Sequence, residues 1–100
     1  MNKDAIKKMR QAIKYGNLST VKNLLDNDPN LAETDTPFGT WLQVAAAHGQ
    51  TDIAKYLIDK GIDLSATYHL GEIENCDALE YARQYGQMKI YNYIKEKLNK

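Results

Sequence analysis

The sequence holds few of the residues that exported proteins and membrane proteins depend on. It has one cysteine, Cys76, and no apolar run near the roughly 18 residues of a membrane-spanning helix. A single cysteine cannot form an internal disulfide, which favours a reducing compartment. The basic start of the chain lacks the continuous apolar stretch of a signal peptide. We therefore expect a cytoplasmic protein that does not contact membranes.

Motifs that carry enzyme chemistry are also missing. The two histidines, His48 and His69, lie far apart in sequence, and there is no glycine-rich phosphate loop and no H-x-x-x-H or C-x-x-C pair of metal ligands. The sequence therefore predicts no enzyme, no cofactor and no metal. One alternative stays open, a metal-dependent or thiol-based activity centred on His69 and Cys76. Cys76 precedes a predicted helix start, a position that lowers the pKa of a thiol.

Charge is balanced overall but unevenly spread. Residues 1–14 carry five basic side chains against one acidic (+4), and residues 89–100 carry four against one (+3). Residues 15–88 carry four basic and eleven acidic side chains (−7). The acidic middle favours a basic partner over a nucleic acid, which also argues against a helix-turn-helix DNA-binding protein. The alternative is that these charges only solubilise the surface.

Two short apolar patterns with helical spacing occupy the middle of the chain. Leu42, Val44, Ala45 and Ala46 form the first, and Ile53, Ala54, Leu57 and Ile58 form the second. Thr40 is placed to cap the first helix, and Gly49 and Gly61 are placed to end the two helices. Neither helix is long enough to be stable alone, so we expect an antiparallel pair packed against further structure.

This pattern occurs three times. In the first third, Ala12, Gly16 and Leu24 each lie 33 places before Ala45, Gly49 and Leu57. There we expect a helix over 4–16 and a second helix from an N-cap at Ser19 to about Asn27. In the last third Gly86 follows Gly49 by 37 places, so the four extra residues lengthen the loop before Asp77, the next predicted N-cap.

These segments resemble ankyrin repeats, whose period is about 33 residues. Thr40-Trp41-Leu42-Gln43-Val44-Ala45 stands in the place of the T-P-L-H-x-A motif, with Trp41 replacing its proline and Gln43 its histidine. The resemblance implies an all-α ankyrin-repeat stack of three antiparallel helix pairs in a single domain, 1–100. It comprises an N-capping repeat (1–33), a central repeat (34–66) and a C-terminal repeat (67–100) with a long finger loop.

In this family the concave inner-helix face and the finger tips usually hold a partner protein. Tyr15, His48 and Tyr85 precede the three inter-helix glycines and are expected to form one row. Trp41 and Phe38 have an alternative role in the core. The predicted partner-binding residues are Tyr15, Thr36, Pro37, Phe38, Trp41, Ala47, His48, Tyr68, His69, Leu70, Gln84 and Tyr85. Tyrosine and tryptophan dominate binding hot spots because they bury a large area at low entropic cost.

The sequence therefore predicts a monomeric, non-enzymatic protein that binds another protein. The stretch from Thr36 to Leu42 is similar to segments of small bacterial ankyrin proteins, some of which are thought to neutralise toxin domains. That similarity implies an immunity or antitoxin role, and a basic toxin would suit the acidic middle of the chain.

Overall fold

Six α-helices in three consecutive pairs form the protein, as a computed structural model shows; it describes residues 3–33, 39–70 and 73–98. The first pair is α1 (Lys3–Lys14) and α2 (Leu18–Asn27), followed by a 3-10 turn over Pro29–Glu33. The second pair is α3 (Trp41–Ala47) and α4 (Thr51–Asp59), and the third is α5 (Ala78–Gln84) and α6 (Met88–Leu98). The expected stack of three helix pairs is confirmed. No helix in these ranges is long and apolar enough to cross a bilayer.

Each helix pair turns back on itself through the same backbone geometry. In the second pair, Gly49 N donates to Ala46 O (3.2 Å) and Gln50 N donates to Ala45 O (3.0 Å). The equivalent bonds close the other two turns around Gly16 and Gly86. This arrangement places the glycine in the left-handed region, where φ is +68° at Gly49. The repeat inferred from glycine spacing is therefore also a repeat in three dimensions.

The helix starts follow the sequence in two cases and differ in one. The Thr40 hydroxyl accepts from Gln43 N, and the Asp77 carboxylate accepts from Glu80 N, so both are N-caps as expected. The N-cap of α2 is Asn17, whose Oδ1 accepts from Thr20 N at 3.2 Å, and the expectation of Ser19 was wrong. Asn17 follows the turn glycine directly, so the helix begins two residues earlier and Ser19 lies in its first turn.

The long finger before the last pair forms two short strands, where a polar loop was expected. β1 (Tyr68–Leu70) pairs antiparallel with β2 (Ile73–Cys76), in a register that joins Tyr68 to Cys76 and Leu70 to Ile73. The register shifts within the hairpin. Asn75 adopts φ +59°, which asparagine tolerates better than most residues. The finger is therefore tied to the start of α5 through Cys76.

One apolar core runs through all three pairs, with the middle pair most enclosed. Its α3 buries every residue from Trp41 to Ala46, and its α4 buries Ile53, Ala54, Leu57 and Ile58. The two flanking pairs bury fewer side chains, because each has a neighbouring pair on one side only.

Candidate functional site

Tyr15, His48 and Tyr85, which we call the turn row, occupy equivalent places just before the three turn glycines. His48 and Tyr85 are the C-cap residues of α3 and α5, and Tyr15 directly follows α1. A residue at a helix C-cap lies outside the packed helix faces. The three side chains are accordingly exposed, Tyr15 to 75% and Tyr85 to 43%.

Neighbouring turns are packed directly on each other, so the turn row lies along one edge of the stack. The Gln50 side chain covers the first turn: a Cβ added to Gly16 would lie 2.9 Å from Gln50 Oε1, and Gln50 Nε2 donates to Lys14 O at 3.2 Å. Gln87 covers the second turn in the same way, with Nε2 2.9 Å from a Cβ added to Gly49. These glycines let side chains of the next repeat approach closely and fix the spacing of the row.

The surroundings of the row combine aromatic, amide and basic groups. Lys14 Nζ lies 5.6 Å from the centroid of the Tyr15 ring, and the Tyr85 ring lies 6.3 Å from that of Tyr81. Tyr81 is buried, and burial raises the pKa of its hydroxyl. Of the other residues predicted beside the row, Ala47 is half-buried and Gln84 is exposed.

A shallow depression of about 240 Å³ adjoins the first member of the row. It is lined by Lys8, Gln11, Ala12, Tyr15, Asn17 and Thr20. Apart from Tyr15, none of these residues was predicted as a partner contact. The 33-place offset aligns Lys8 and Gln11 with Trp41 and Val44, which are buried, so the offset gave no signal for an exposed site here.

Trp41 is not part of an exposed surface, and its prediction as a partner contact was wrong. Its side chain is 0% exposed, and the indole Nε1 donates to Leu31 O at 2.7 Å. The ring fills the core between the first and second pairs, and the bond satisfies its single polar atom. The core role considered as the alternative for Trp41 is therefore the one observed.

The predicted finger contacts are only partly described by the structure. Thr36, Pro37 and Phe38 lie outside the described residues. His69 and Leu70 belong to β1 by their main chain, while their side chains are not described. Tyr68 is half-buried and packs against the core. The described part of the candidate site is therefore the turn row and its neighbours.

Gln43 links the second repeat to the third, a role that sequence reasoning missed. Its Oε1 accepts from Thr40 N at 2.7 Å, and its Nε2 donates to Ala66 O (3.2 Å) and to Cys76 O (3.0 Å). A fully buried amide thus completes the N-terminal cap of α3 and holds both ends of the finger. The signal was the spacing of Thr40 and Gln43, which is that of a capping box.

Cys76 does not have the properties of a reactive thiol. It is fully buried, and burial, followed by the nearby Glu80 and Asp77 carboxylates, raises its pKa. The expectation of a lowered pKa at a helix start was wrong, because burial disfavours the charged thiolate. Within the described ranges, no three potential ligands come together to hold a metal ion.

A larger cleft of about 540 Å³ lies at the other end of the helix pairs, between the first repeat and the end of the second. Its lining is mixed, and Leu25, Pro29, Lys60 and Asp63 contribute to it. The Asp63 carboxylate accepts from the amide and hydroxyl of Ser65, which lowers its pKa and orders the loop. The acidic group is thus engaged in local structure.

Comparison with known proteins agrees with this geometry. A family model described as ankyrin repeats (3 copies) matches residues 9–100. The chain is also similar to the human protein named protein phosphatase 1 regulatory subunit 27, with 35% identity over 65 residues. That match covers 65% of this chain and 42% of the human protein, so less than half of the relative's length is represented.

Proposed function

Because the chain belongs to the ankyrin-repeat family, we propose that it is a non-enzymatic module that binds another protein through the turn row and the adjoining inner-helix surface. Ankyrin repeats generally mediate protein–protein interaction, and proteins built from them are typically non-catalytic. The proposal assigns the chain a binding role and leaves any catalysis to its partner.

The observation that carries the proposal is the turn row itself. Its members are exposed, yet each sits beside a turn whose backbone is closed by two hydrogen bonds, and the turns beside Tyr15 and His48 are also packed against the next repeat. A partner that binds them therefore gains contact with rings whose supporting backbone is already ordered. Exposed tyrosines on a rigid support have the properties of binding hot spots.

The human relative supports a binding role in general terms. Its name describes a regulatory subunit, which is a protein that acts through association with another. Since the chain spans 42% of that relative's length, the identity of its partner is not carried over.

The immunity role predicted from the sequence is a narrower form of the same proposal. The acidic middle of the chain supports it by favouring a basic partner, and isolation of a toxin domain as the bound protein would confirm it. The thiol- or metal-based alternative is not part of the proposal, since Cys76 is buried with a raised pKa.

The proposal is tested by separating binding from folding. The wild type and the His48→Ala and Tyr85→Ala variants are used in parallel to capture proteins from the source cell, and captured proteins are identified by mass spectrometry. Calorimetry then measures the affinity of the purified partner. We expect each variant to weaken binding by about 1–3 kcal/mol, in the range of hot-spot truncations, with the free energy of unfolding almost unchanged.

The matched control is Leu98→Ala, which truncates an exposed large apolar side chain at the last turn of α6, away from the turn row. It should leave the affinity unchanged. If His48→Ala and Tyr85→Ala bind the partner as tightly as the wild type does, the turn row is not the interface and the proposal fails.

A further inference from the structure

Basic side chains are concentrated on the first helix, beside Tyr15. Lys7, Lys8, Arg10 and Lys14 of α1 are all exposed, and Asp4 is the single acidic residue of that helix. Lys14 lies over the Tyr15 ring, and Lys8 lines the depression that the same ring borders. The end of the turn row at the first repeat is therefore strongly positive.

The depression offers polar donors as well as charge. Five of the six residues that line it, Lys8, Gln11, Tyr15, Asn17 and Thr20, have side chains that can donate hydrogen bonds. A volume of about 240 Å³ accommodates one or two side chains of a partner rather than a folded element. A carboxylate is the side-chain group that ammonium and amide donors bind together.

Several described acidic side chains of residues 15–88 are bonded locally or lie at the opposite end of their helix pair. Asp59 is the last residue of α4 and Asp63 lies in the loop after it, at the end of the helix pair opposite its turn. The Asp59 carboxylate accepts a hydrogen bond from Tyr93 Oη (2.6 Å) and lies 3.6 Å from Lys97 Nζ. Glu80 accepts from Arg83. On the turn side, Asp52 is exposed in the first turn of α4, in the second repeat. The sequence average of the middle therefore does not describe the charge around Tyr15.

We propose that the partner presents an acidic segment to the first repeat, with a carboxylate in the depression formed by Lys8 and Tyr15. This inference rests on the proposed function and adds the charge of the partner's contacting segment, which differs from the basic partner that the sequence average favours. A protein segment is favoured over a nucleic acid because the net charge of the chain is zero and the basic side chains beside Tyr15 belong to a single helix of 12 residues.

The test uses random 12-residue peptides displayed on phage and selected on the full chain. Peptides that also bind the triple variant Tyr15→Ala, His48→Ala, Tyr85→Ala are removed. We expect the remaining pool to be enriched in Asp and Glu over the unselected library. The best peptide, synthesised with a fluorescent label, should bind the double variant Lys8→Glu, Lys14→Glu about tenfold more weakly than it binds the wild type. Its affinity for the wild type should also fall as salt is raised from 50 to 300 mM.

The matched control is Lys55→Glu, Lys95→Glu, which makes the same charge change on the outer helices at lysines that, like Lys14, lie over a tyrosine ring. It should change peptide affinity less than twofold.

A turn-row-dependent pool that is neutral or basic would overturn the charge inference and leave the proposed function standing. A failure to recover any turn-row-dependent peptide would count against the proposed function itself. A 20-nucleotide single-stranded DNA that binds more tightly than the best peptide, and loses affinity in Lys8→Glu, Lys14→Glu, would overturn the choice of a protein segment.

Discussion

Gln43 and Glu80 stand at equivalent positions, three residues after the N-caps of α3 and α5. Their side chains form hydrogen bonds with different parts of the protein. Gln43 is fully buried and donates to main-chain oxygens at both ends of the next repeat's finger. Glu80 is partly exposed and accepts from Arg83 and Gln84 of its own helix. A neutral amide can donate to a following repeat, whereas a carboxylate cannot.

The same difference extends over the whole of α3 and α5. Both helices have seven residues, and α3 buries six of them while α5 buries Ala78, Tyr81 and Ala82. Where α3 has the buried Ala46, α5 has the exposed Arg83 paired with Glu80. A further repeat stacked on α5 would have to bury this ion pair, which costs several kcal/mol of desolvation. This ion pair therefore disfavours a further repeat against α5, while the middle repeat supplies more of the core than either of its neighbours.

The largest effect we predict comes from giving the middle repeat the residue of the last one. Gln43→Glu replaces a donor by a carboxylate that faces the Ala66 and Cys76 carbonyl oxygens. An uncompensated buried charge should lower the free energy of unfolding by about 3–5 kcal/mol at neutral pH. Burial raises the pKa of such a carboxyl, so the variant binds a proton more readily when folded, and its deficit should shrink as the pH falls.

Urea unfolding of the wild type and Gln43→Glu at pH 7 and pH 5 measures this deficit. Gln43→Met, which removes the polar groups at similar volume, is the control whose deficit should not depend on pH. An equal deficit of Gln43→Glu at both pH values would show that the side chain turns to solvent and that the link between repeats is dispensable.

A smaller effect is expected from the apolar core, again larger in the middle repeat. Leu57 is 1% exposed, and Leu24, its equivalent in the first repeat, is half-buried. Leu57→Ala should cost about 2–5 kcal/mol, as expected for a buried leucine that leaves a cavity. Leu24→Ala should cost clearly less, since its site is open to solvent on one side. Thermal unfolding of both variants, followed by circular dichroism, makes the comparison, and equal costs would contradict the unequal burial of the repeats.

The sequence predicted the fold because its signals are local and repeated. The Thr40 and Asp77 caps, the turn glycines and the helical spacing of Leu57 and its neighbours each determine a few residues, and the 33-place offset joins them into one architecture. The hairpin strands were missed although Gly71-Glu72 between two short runs rich in apolar residues is typical of a two-residue turn. Glu74 and Asn75 in the second run weakened the alternation that would have indicated a strand.

The site was less predictable because exposure depends on neighbours distant in sequence. The repeat offset correctly placed Tyr15, His48 and Tyr85 in equivalent positions, and their exposure follows from the turn. Trp41 was assigned to the surface as an aromatic residue near a finger, and only the position of Leu31 beneath it shows that it is buried. The basic charge around Tyr15 was contained in the sum over residues 1–14 (+4), but the prediction of a basic partner used only the sum over residues 15–88.

The smallest effect concerns the ion pair that closes the last repeat. Hydrogen bonds from Arg83, and then from Gln84, lower the pKa of Glu80 to about 2. Because the folded pKa lies below the unfolded one, Glu80 contributes stability above its unfolded pKa, and that contribution is lost as the pH falls towards 2. The pair is exposed to water, so its contribution should be small and screened by salt. Glu80→Gln should therefore be nearly as stable as the wild type at pH 7 and lose less stability on acidification.

Asp63, whose pKa is also lowered, is unchanged in both proteins and cancels in the difference. Urea unfolding at pH 5 and pH 2.5, in 20 mM and 500 mM salt, measures that difference. Parallel pH profiles at low salt would mean that Glu80 and Arg83 are not paired in solution.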